Sequence, residues 1–327
     1  MAWENELAAA VDAVQRASRI TRAVQDRLVA GMRIEKGDKS PVTVADFSAQ
    51  AVVSHLLSQG FPEVPLVGEE GAEALRASDE MRGHVEDAVW TELPDLPSDG
   101  VLSAIDRGNF GGGPTGTHWA LDPIDGTKGF LRLQQYAIAL ALIHEGEVVL
   151  GVLGCPSLPH DAARPDGARG ALFWGAKGQG AHWRPVDGAA VQPVFVSQVA
   201  SADQARFCES VEKGHTNQDH SALVAARLGI EQPPYRIDSQ CKYAAVARGD
   251  ASIYLRLPTR ADYVERIWDH AAGVRVVEEA GGRVTDVLGA PLDFGKGRGL
   301  DANKGVVVTN GPLHDDTVAA VRAVLDL

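Results

Sequence analysis

The 327-residue chain is poor in cysteine, in aromatic side chains, in basic runs and in long apolar runs, and each shortage removes a class of protein. Its three cysteines, Cys155, Cys208 and Cys241, are odd in number, far apart and without any Cys-x-x-Cys pair. That pattern speaks against a disulfide framework or a zinc site and for reduced, buried thiols in a cytoplasmic protein. No run of Lys or Arg forms a nucleic-acid patch, and 31 basic against 44 acidic residues leave a formal charge of -13. A nucleic-acid polymer is therefore not an expected partner. A small phosphorylated molecule still is, because bound divalent cations can invert the field of an acidic site. No stretch is long and apolar enough to cross a bilayer, and the start MAWENELAAAVDAVQRA has early acids and no basic lead. Neither a membrane span nor a secretory signal is expected. No G-x-x-x-x-G-K-[ST] occurs, which disfavours a P-loop kinase or NTPase.

What is present is ordinary in bulk and unusual in one place. Hydrophobic residues are 45% and charged residues 23% of a length that accommodates one large domain or two smaller ones. The stretch WALDPIDGTKGF, residues 119–130, places two carboxylates three apart, Asp122 and Asp125. Pro123 fixes the backbone between them and has no N–H, so the segment is a shaped turn and not helix. Rigidly held oxygen ligands suit Mg²⁺, which keeps several waters and is commonly shared with substrate phosphate. The Thr127 hydroxyl stands where it can orient a water on such a metal, and the amides from Gly126 to Gly129 can face an anion at a helix start.

Along the chain, residues 3–28 have helical apolar spacing, with Leu7, Val11, Val14, Val24 and Leu28 as its clearest members. After the break at Ser40 and Pro41, residues 42–44 are expected to be extended and 45–57 helical, which puts Asp46 near a helix N-terminus, a position that the helix dipole alone would favour. The short apolar run of PLVGEEG delivers Glu69 and Glu70. Residues 72–116 are expected to form a long irregular connection with a weak helix over 80–91, ending in a flexible glycine-rich flap. Gly111, Gly113 and Gly116 satisfy G-x-G-x-x-G, but Pro114 interrupts it and a strand follows where a dinucleotide site needs a helix. YAIALALI with VVLGVLGC, and ALFWGAKGQGAHWR, are expected hairpins of an antiparallel sheet. From about Val194 strands and helices alternate, and a helix expected over 267–280 carries Asp269 at its start. The expected fold is an α+β, α/β layered sandwich (αβαβα). Its N-terminal part, residues 1–194, lays helices on an antiparallel sheet, and residues 195–327 form an α/β part. Asp46, Glu69, Asp122, Asp125 and Asp269 each have an ordinary explanation as cap or turn acids. Together, at strand ends and helix starts, they would supply a carboxylate site for several metals.

The segments DKSPVTVAD, VGEEG, LDPIDGTKGF and IWDHAAG, in this order, resemble the lithium-sensitive, magnesium-dependent phosphomonoesterases that include inositol monophosphatase and fructose-1,6-bisphosphatase. The resemblance spans residues 39–282. Pro114–Thr115–Gly116–Thr117, Glu212 to His215, Asp238 to Tyr243 and Tyr254 to Pro258 make the chain most similar to the 3'(2'),5'-bisphosphate nucleotidases. Pro114 and Leu133–Gln134 depart from that pattern at positions that carry no ligand. The resemblance implies metal binding by Asp46, Glu69, Asp122, the Ile124 carbonyl, Asp125 and Asp269, with two or three Mg²⁺ ions. It implies that Asp46 and Thr127 activate the attacking water, and that Gly126, Thr127, His215, Ser239, Lys242 and Arg256 contact substrate. The implied reaction removes the 3'-phosphate of adenosine 3',5'-bisphosphate (PAP) to give AMP and phosphate, with its sulfated form PAPS and the 2',5' isomer as further substrates, in a monomer. An inositol or fructose phosphatase is one competing reading, and a silent nucleotide-binding protein another. Retention of Thr127 and every proposed ligand argues against the second.

Overall fold

The computed structural model of the chain describes residues 2–29, 40–211, 218–258, 260 and 263–327. The long opening helix α1 (Glu4–Val29) packs on α2 (Ser40–Gly60). The extended piece expected over 42–44 is instead part of α2. A Val-Thr-Val run favours strand only weakly, proline is tolerated in a first helical turn, and Val42 and Val44 are buried in the first hydrophobic cluster. Asp46 accordingly lies in the second turn of α2 and not at its tip.

Next come β1 (Leu66–Gly68), α3 (Glu73–Arg76), α4 (Asp79–Val89) and α5 (Ser98–Asp106). The connection expected to be irregular is thus largely helical. Ser78 caps α4 by accepting from the Met81 N–H at 3.2 Å, and α4 and α5 bury Val85, Val89, Val101 and Ile105. Glycine-rich residues 111–116 do lead into a strand, as expected.

That strand is β2 (Thr117–Asp125), followed by the one-turn helix α6 (Thr127–Leu131) and by β3 (Ala137–His144), β4 (Glu147–Pro159), β5 (Arg169–Ala176), β6 (Ala181–Pro185) and β7 (Gln192–Val194). These strands form a seven-stranded sheet in sequence order. Every pairing is antiparallel, as expected from the hairpins, except β1 with β2, which is parallel and departs from the antiparallel sheet expected here.

The remaining elements are β8 (Phe207–Glu209), α7 (Gln218–Leu228), β9 (Tyr235–Arg236), α8 (Cys241–Arg248), β10 (Ile253–Arg256), α9 (Ala271–Glu279), β11 (Arg283–Thr285), β12 (Val306–Thr309) and α10 (His314–Val324). Their sheet has the order β11-β12-β10-β8-β9, parallel where β8 meets β9 and β10 and antiparallel where β12 meets β10 and β11.

Hydrophobic clusters show how the layers stack. One lies between α1, α2 and the first sheet; a second runs from the other face of that sheet across α8 and α9 to the second sheet; a third lies between the second sheet and α7 with α10. The order helix, sheet, helix, sheet, helix follows, which is the expected αβαβα sandwich. The middle layer is enclosed on both faces, and α8 is buried from Cys241 through Ala247, so its small residues let it sit close to both sheets.

Candidate active site

Residues three apart on a regular strand point to opposite faces. Along β2, Asp122 pairs with Ala139 but Asp125 pairs with Ala137, so the register shifts by one residue at Pro123 and Ile124. The bulge sits where proline has no N–H to lose from the ladder, and it turns both carboxylates to one side. Carboxylate oxygens of Asp122, Asp125 and Asp269 come within 4.8 Å of one another. Asp122 also accepts from the Ile124 N–H at 3.1 Å, which holds the corner closed.

Asp269 ends a 3₁₀ turn (Ile267–Asp269) that precedes α9, so the helix expected over 267–280 is split there. Glu69 directly follows β1. Asp125 accepts from the backbone N–H of Gln240, and Gly126, at φ +89°, leaves no room for a side chain because a Cβ there would lie 2.8 Å from Ser239 Cβ. Segment 239–240 is thereby locked onto the turn that carries Asp125 and Thr127.

The electrostatics describe acids held together at a cost. Burial first, then the charges of Asp269, Glu70 and Asp125, push Glu69 up to about 7. Burial and Asp269 push Asp125 up to about 6 against the opposing pull of Lys242 and Arg256. Asp122 is raised well above the ordinary carboxylate range by burial and by Glu69, and Asp46 by burial, Glu70 and Glu69. Converging, desolvated oxygen donors of this kind fit a hard divalent cation, whose charge would restore their ionised forms. A cavity of about 810 Å³ opens over them. Its walls include Glu69, Asp122, Ile124, Asp125, Gly126, Thr127 and Asp269, the apolar Val42 and Leu131, and the cations Lys128, Arg256, Arg266 and Arg298.

A family model described as the inositol monophosphatase family matches residues 2–325. The chain belongs to the inositol monophosphatase family. Among curated relatives, a 3'(2'),5'-bisphosphate nucleotidase of Emericella nidulans is 46% identical with all of both chains covered. Another from Schizosaccharomyces pombe is 42% identical over 99% of this chain and 97% of its own. The solved inositol monophosphatase of Anabaena superposes with a TM-score of 0.66 at 22% identity, covering 99% of this chain and 97% of that one, a likeness of fold.

The residues expected to contact substrate in this family member are distributed unevenly. Gly126, Thr127 and Arg256 line the cavity, whereas Ser239 and Lys242 are not on its wall. The Ser239 hydroxyl instead accepts from the Cys241 N–H at 3.2 Å, at the start of α8. Lys242 is buried with Nζ 5.1 Å from the Tyr254 ring centre, and burial lowers its pKa while Asp125 raises it. Asp46 is buried and is not among the residues that line the cavity, but Glu70 and Glu69 are close enough to act on its charge. His215 lies outside the described residues.

Sequence reasoning missed Gln50, Glu265, Arg266, Trp268 and Arg298. Gln50 is four residues beyond Asp46 and so shares its helix face, a signal that periodicity alone offers. Glu265 receives Arg256 Nε at 3.1 Å on one oxygen and pairs with His270 Nε2 at 3.2 Å on the other. Arg298 sits in the glycine-rich GKGRGL, which carries no chemical motif of its own.

Proposed function

We propose that the chain is a Mg²⁺-dependent phosphomonoesterase that hydrolyses the 3'-phosphate of adenosine 3',5'-bisphosphate to AMP and phosphate, and that also accepts the sulfated form and the 2',5' isomer. One observation carries this reading: a single cavity joins the carboxylate cluster to the guanidinium groups of Arg256 and Arg266. Acids that hold divalent cations suit the phosphate to be cleaved, and nearby fixed cations suit a second phosphate on the same molecule. The nucleotidase names of the full-length relatives support the same substrate class.

Asp46, Glu69, Asp122, the Ile124 carbonyl, Asp125 and Asp269 would hold two or three Mg²⁺ ions. Bound there, the ions would neutralise the phosphate, acidify a water and stabilise the leaving 3'-oxygen of an in-line displacement. Thr127, on the cavity wall, and Asp46 together would activate the attacking water. The backbone amide of Gly126, on the cavity wall, would face the substrate phosphate. Arg256 binds the remaining anionic part of the nucleotide, and Lys242, beneath the wall, adds positive charge beside Asp125. Residues 1–194 supply every metal ligand but Asp269, and residues 195–327 supply Asp269 and Arg256. Cytoplasmic placement agrees with cysteines that are all buried free thiols.

The deciding experiment is phosphate release with Mg²⁺ from adenosine 3',5'-bisphosphate, inositol 1-phosphate and fructose 1,6-bisphosphate, with Asp125→Asn as control. Preference for the nucleotide, lost by at least about 10³-fold in the variant, is expected, since removing a charged ligand forfeits several kcal/mol of transition-state stabilisation. Preference for a sugar or inositol phosphate would discard the nucleotide contacts and keep the metal site. No release from any of the three would reject the enzyme.

A further inference from the structure

Arg298 reaches across the molecule from the loop between β11 and β12. Its Nη2 donates to the Gly68 carbonyl at 2.5 Å, and its Nη1 donates to the carbonyls of Phe110 at 3.0 Å and Gly108 at 3.2 Å. The guanidinium plane also lies over Trp268, with Cζ 4.7 Å from the ring centre. The backbone at the same position is engaged as well, since the Arg298 carbonyl accepts from the Ile267 N–H at 3.2 Å and Gly299 bridges to Arg266.

This residue meets the chain beside each of two acids that arrive from different layers. Gly68 is the residue before Glu69, and Trp268 is the residue before Asp269. Gln50 holds the other flank of Glu69 by two hydrogen bonds to the backbone of Glu70. The peptide units on either side of Glu69 are therefore clamped, one from α2 and one from the 298 loop. Without the Arg298 clamp, nothing else described donates a side-chain hydrogen bond to the Gly68 carbonyl.

We infer that Arg298 is a positioning residue that sets the separation of Glu69 and Asp269, so that each carboxylate is held in place within the site proposed for the divalent cations. The inference rests on the metal site proposed above and adds a residue that lies outside the ligand set. Only arginine suits the task. Its planar fork serves three carbonyls and stacks on indole at once, whereas lysine offers a point charge on a flexible stem.

The test is titration calorimetry of the metal-free protein with Mg²⁺ alone, comparing wild type, Arg298→Lys and Asp125→Asn, with the Mg²⁺ dependence of phosphate release measured in parallel. Loss of an outer contact that orients a ligand weakens metal affinity by about 10- to 100-fold, and that loss is expected for Arg298→Lys. The half-saturating Mg²⁺ for turnover should rise by the same factor, while the substrate KM at saturating metal shifts far less. Wild-type Mg²⁺ affinity in Arg298→Lys would overturn the inference and leave the metal site standing. If wild type binds no Mg²⁺, the metal site falls and the inference with it. Should Arg298→Lys lose its cooperative thermal transition in chelator, Arg298→Gln, which keeps an amide donor, carries the same comparison with the same outcomes.

Discussion

Gln50 and Glu70 exchange hydrogen bonds in both directions: Gln50 Nε2 donates to the Glu70 carbonyl at 2.6 Å, and the Glu70 N–H donates to Gln50 Oε1 at 3.1 Å. The same Nε2 donates to the Ile105 carbonyl at 2.9 Å. A fully buried amide thus joins α2, the residue after Glu69 and the last turn of α5. Gln50→Ala takes this partner from the Glu70 N–H and the Glu70 carbonyl, while the Ile105 carbonyl keeps the Gly108 N–H at 2.9 Å, and each buried unsatisfied group costs about 1–3 kcal/mol. A total loss of about 2–4 kcal/mol, measured by denaturant unfolding of the metal-free protein, is expected on that basis. Stability within error of wild type would mean that water replaces the amide.

Sequence reasoning reached the acids and stopped short of what holds them. Asp122 and Asp125 were legible because proline, glycine and paired carboxylates at fixed spacing leave a local trace, whereas Asp269 was only an acid at a helix start until the resemblance joined it to them. The layer order was also legible, since the period of the apolar residues changes between strands and helices. The start of α2 was misread because burial of Val42 and Val44 decides it, and burial is a long-range property. Gln50 and Arg298 left no trace for a related reason: each acts on backbone carbonyls far away in the chain, and a carbonyl looks the same at every position. Lys242 was reached through the resemblance of the segment from Asp238 to Tyr243, but its burial was not legible.

The acid cluster fixes the sign of a pH effect. Glu69 lies at about 7 and Asp125 at about 6, both above their ordinary values. Between about pH 4 and 7 the metal-free native state therefore holds protons that the unfolded chain has released. Stability contributed by these groups is present at the acidic end and lost as pH rises through 6 and 7. In chelator, the Tm should fall from pH 5 to pH 8. Added Mg²⁺ should raise it more at pH 8 than at pH 5.5, because protons compete for the same oxygens. A metal-free Tm that climbs over this range would contradict the electrostatic reading of the site.

The enclosed middle layer predicts a packing effect that reaches the site. A Cβ on Gly273 would lie 2.3 Å from Cγ of Tyr243, whose hydroxyl pairs with His270 Nδ1 at 2.7 Å. Gly273 has no room to give, since its own N–H donates to Gln240 Oε1 at 3.1 Å. Overpacking of this kind costs about 1–3 kcal/mol, so Gly273→Ala should lower the unfolding free energy by that amount. Displacement of Tyr243 would also disturb His270, the neighbour of Asp269, so turnover should drop in protein that remains folded. Unchanged thermal unfolding would show that α8 and α9 can move apart freely.

Arg256 provides the sharpest separation of binding from chemistry. Its Nε is occupied by Glu265 at 3.1 Å, and the second Glu265 oxygen pairs with His270 at 3.2 Å, so the guanidinium is held against the cavity from behind. Burial alone would raise the Glu265 pKa, but His270 and Arg256 outweigh it and hold the carboxyl down to about 2. Its charge therefore persists throughout the working pH range. Glu265→Gln keeps the shape and removes that charge, which leaves Arg256 without its buried counter-ion. A hydrogen bond to a charged group contributes about 1.5–3 kcal/mol. On that basis, KM for the nucleotide should rise by roughly 10- to 100-fold, with a smaller change in kcat. In an Arg256→Ala background the same substitution should change KM little further, because its effect on binding acts through the guanidinium. Additive effects in the double variant would instead place Glu265 in a separate role.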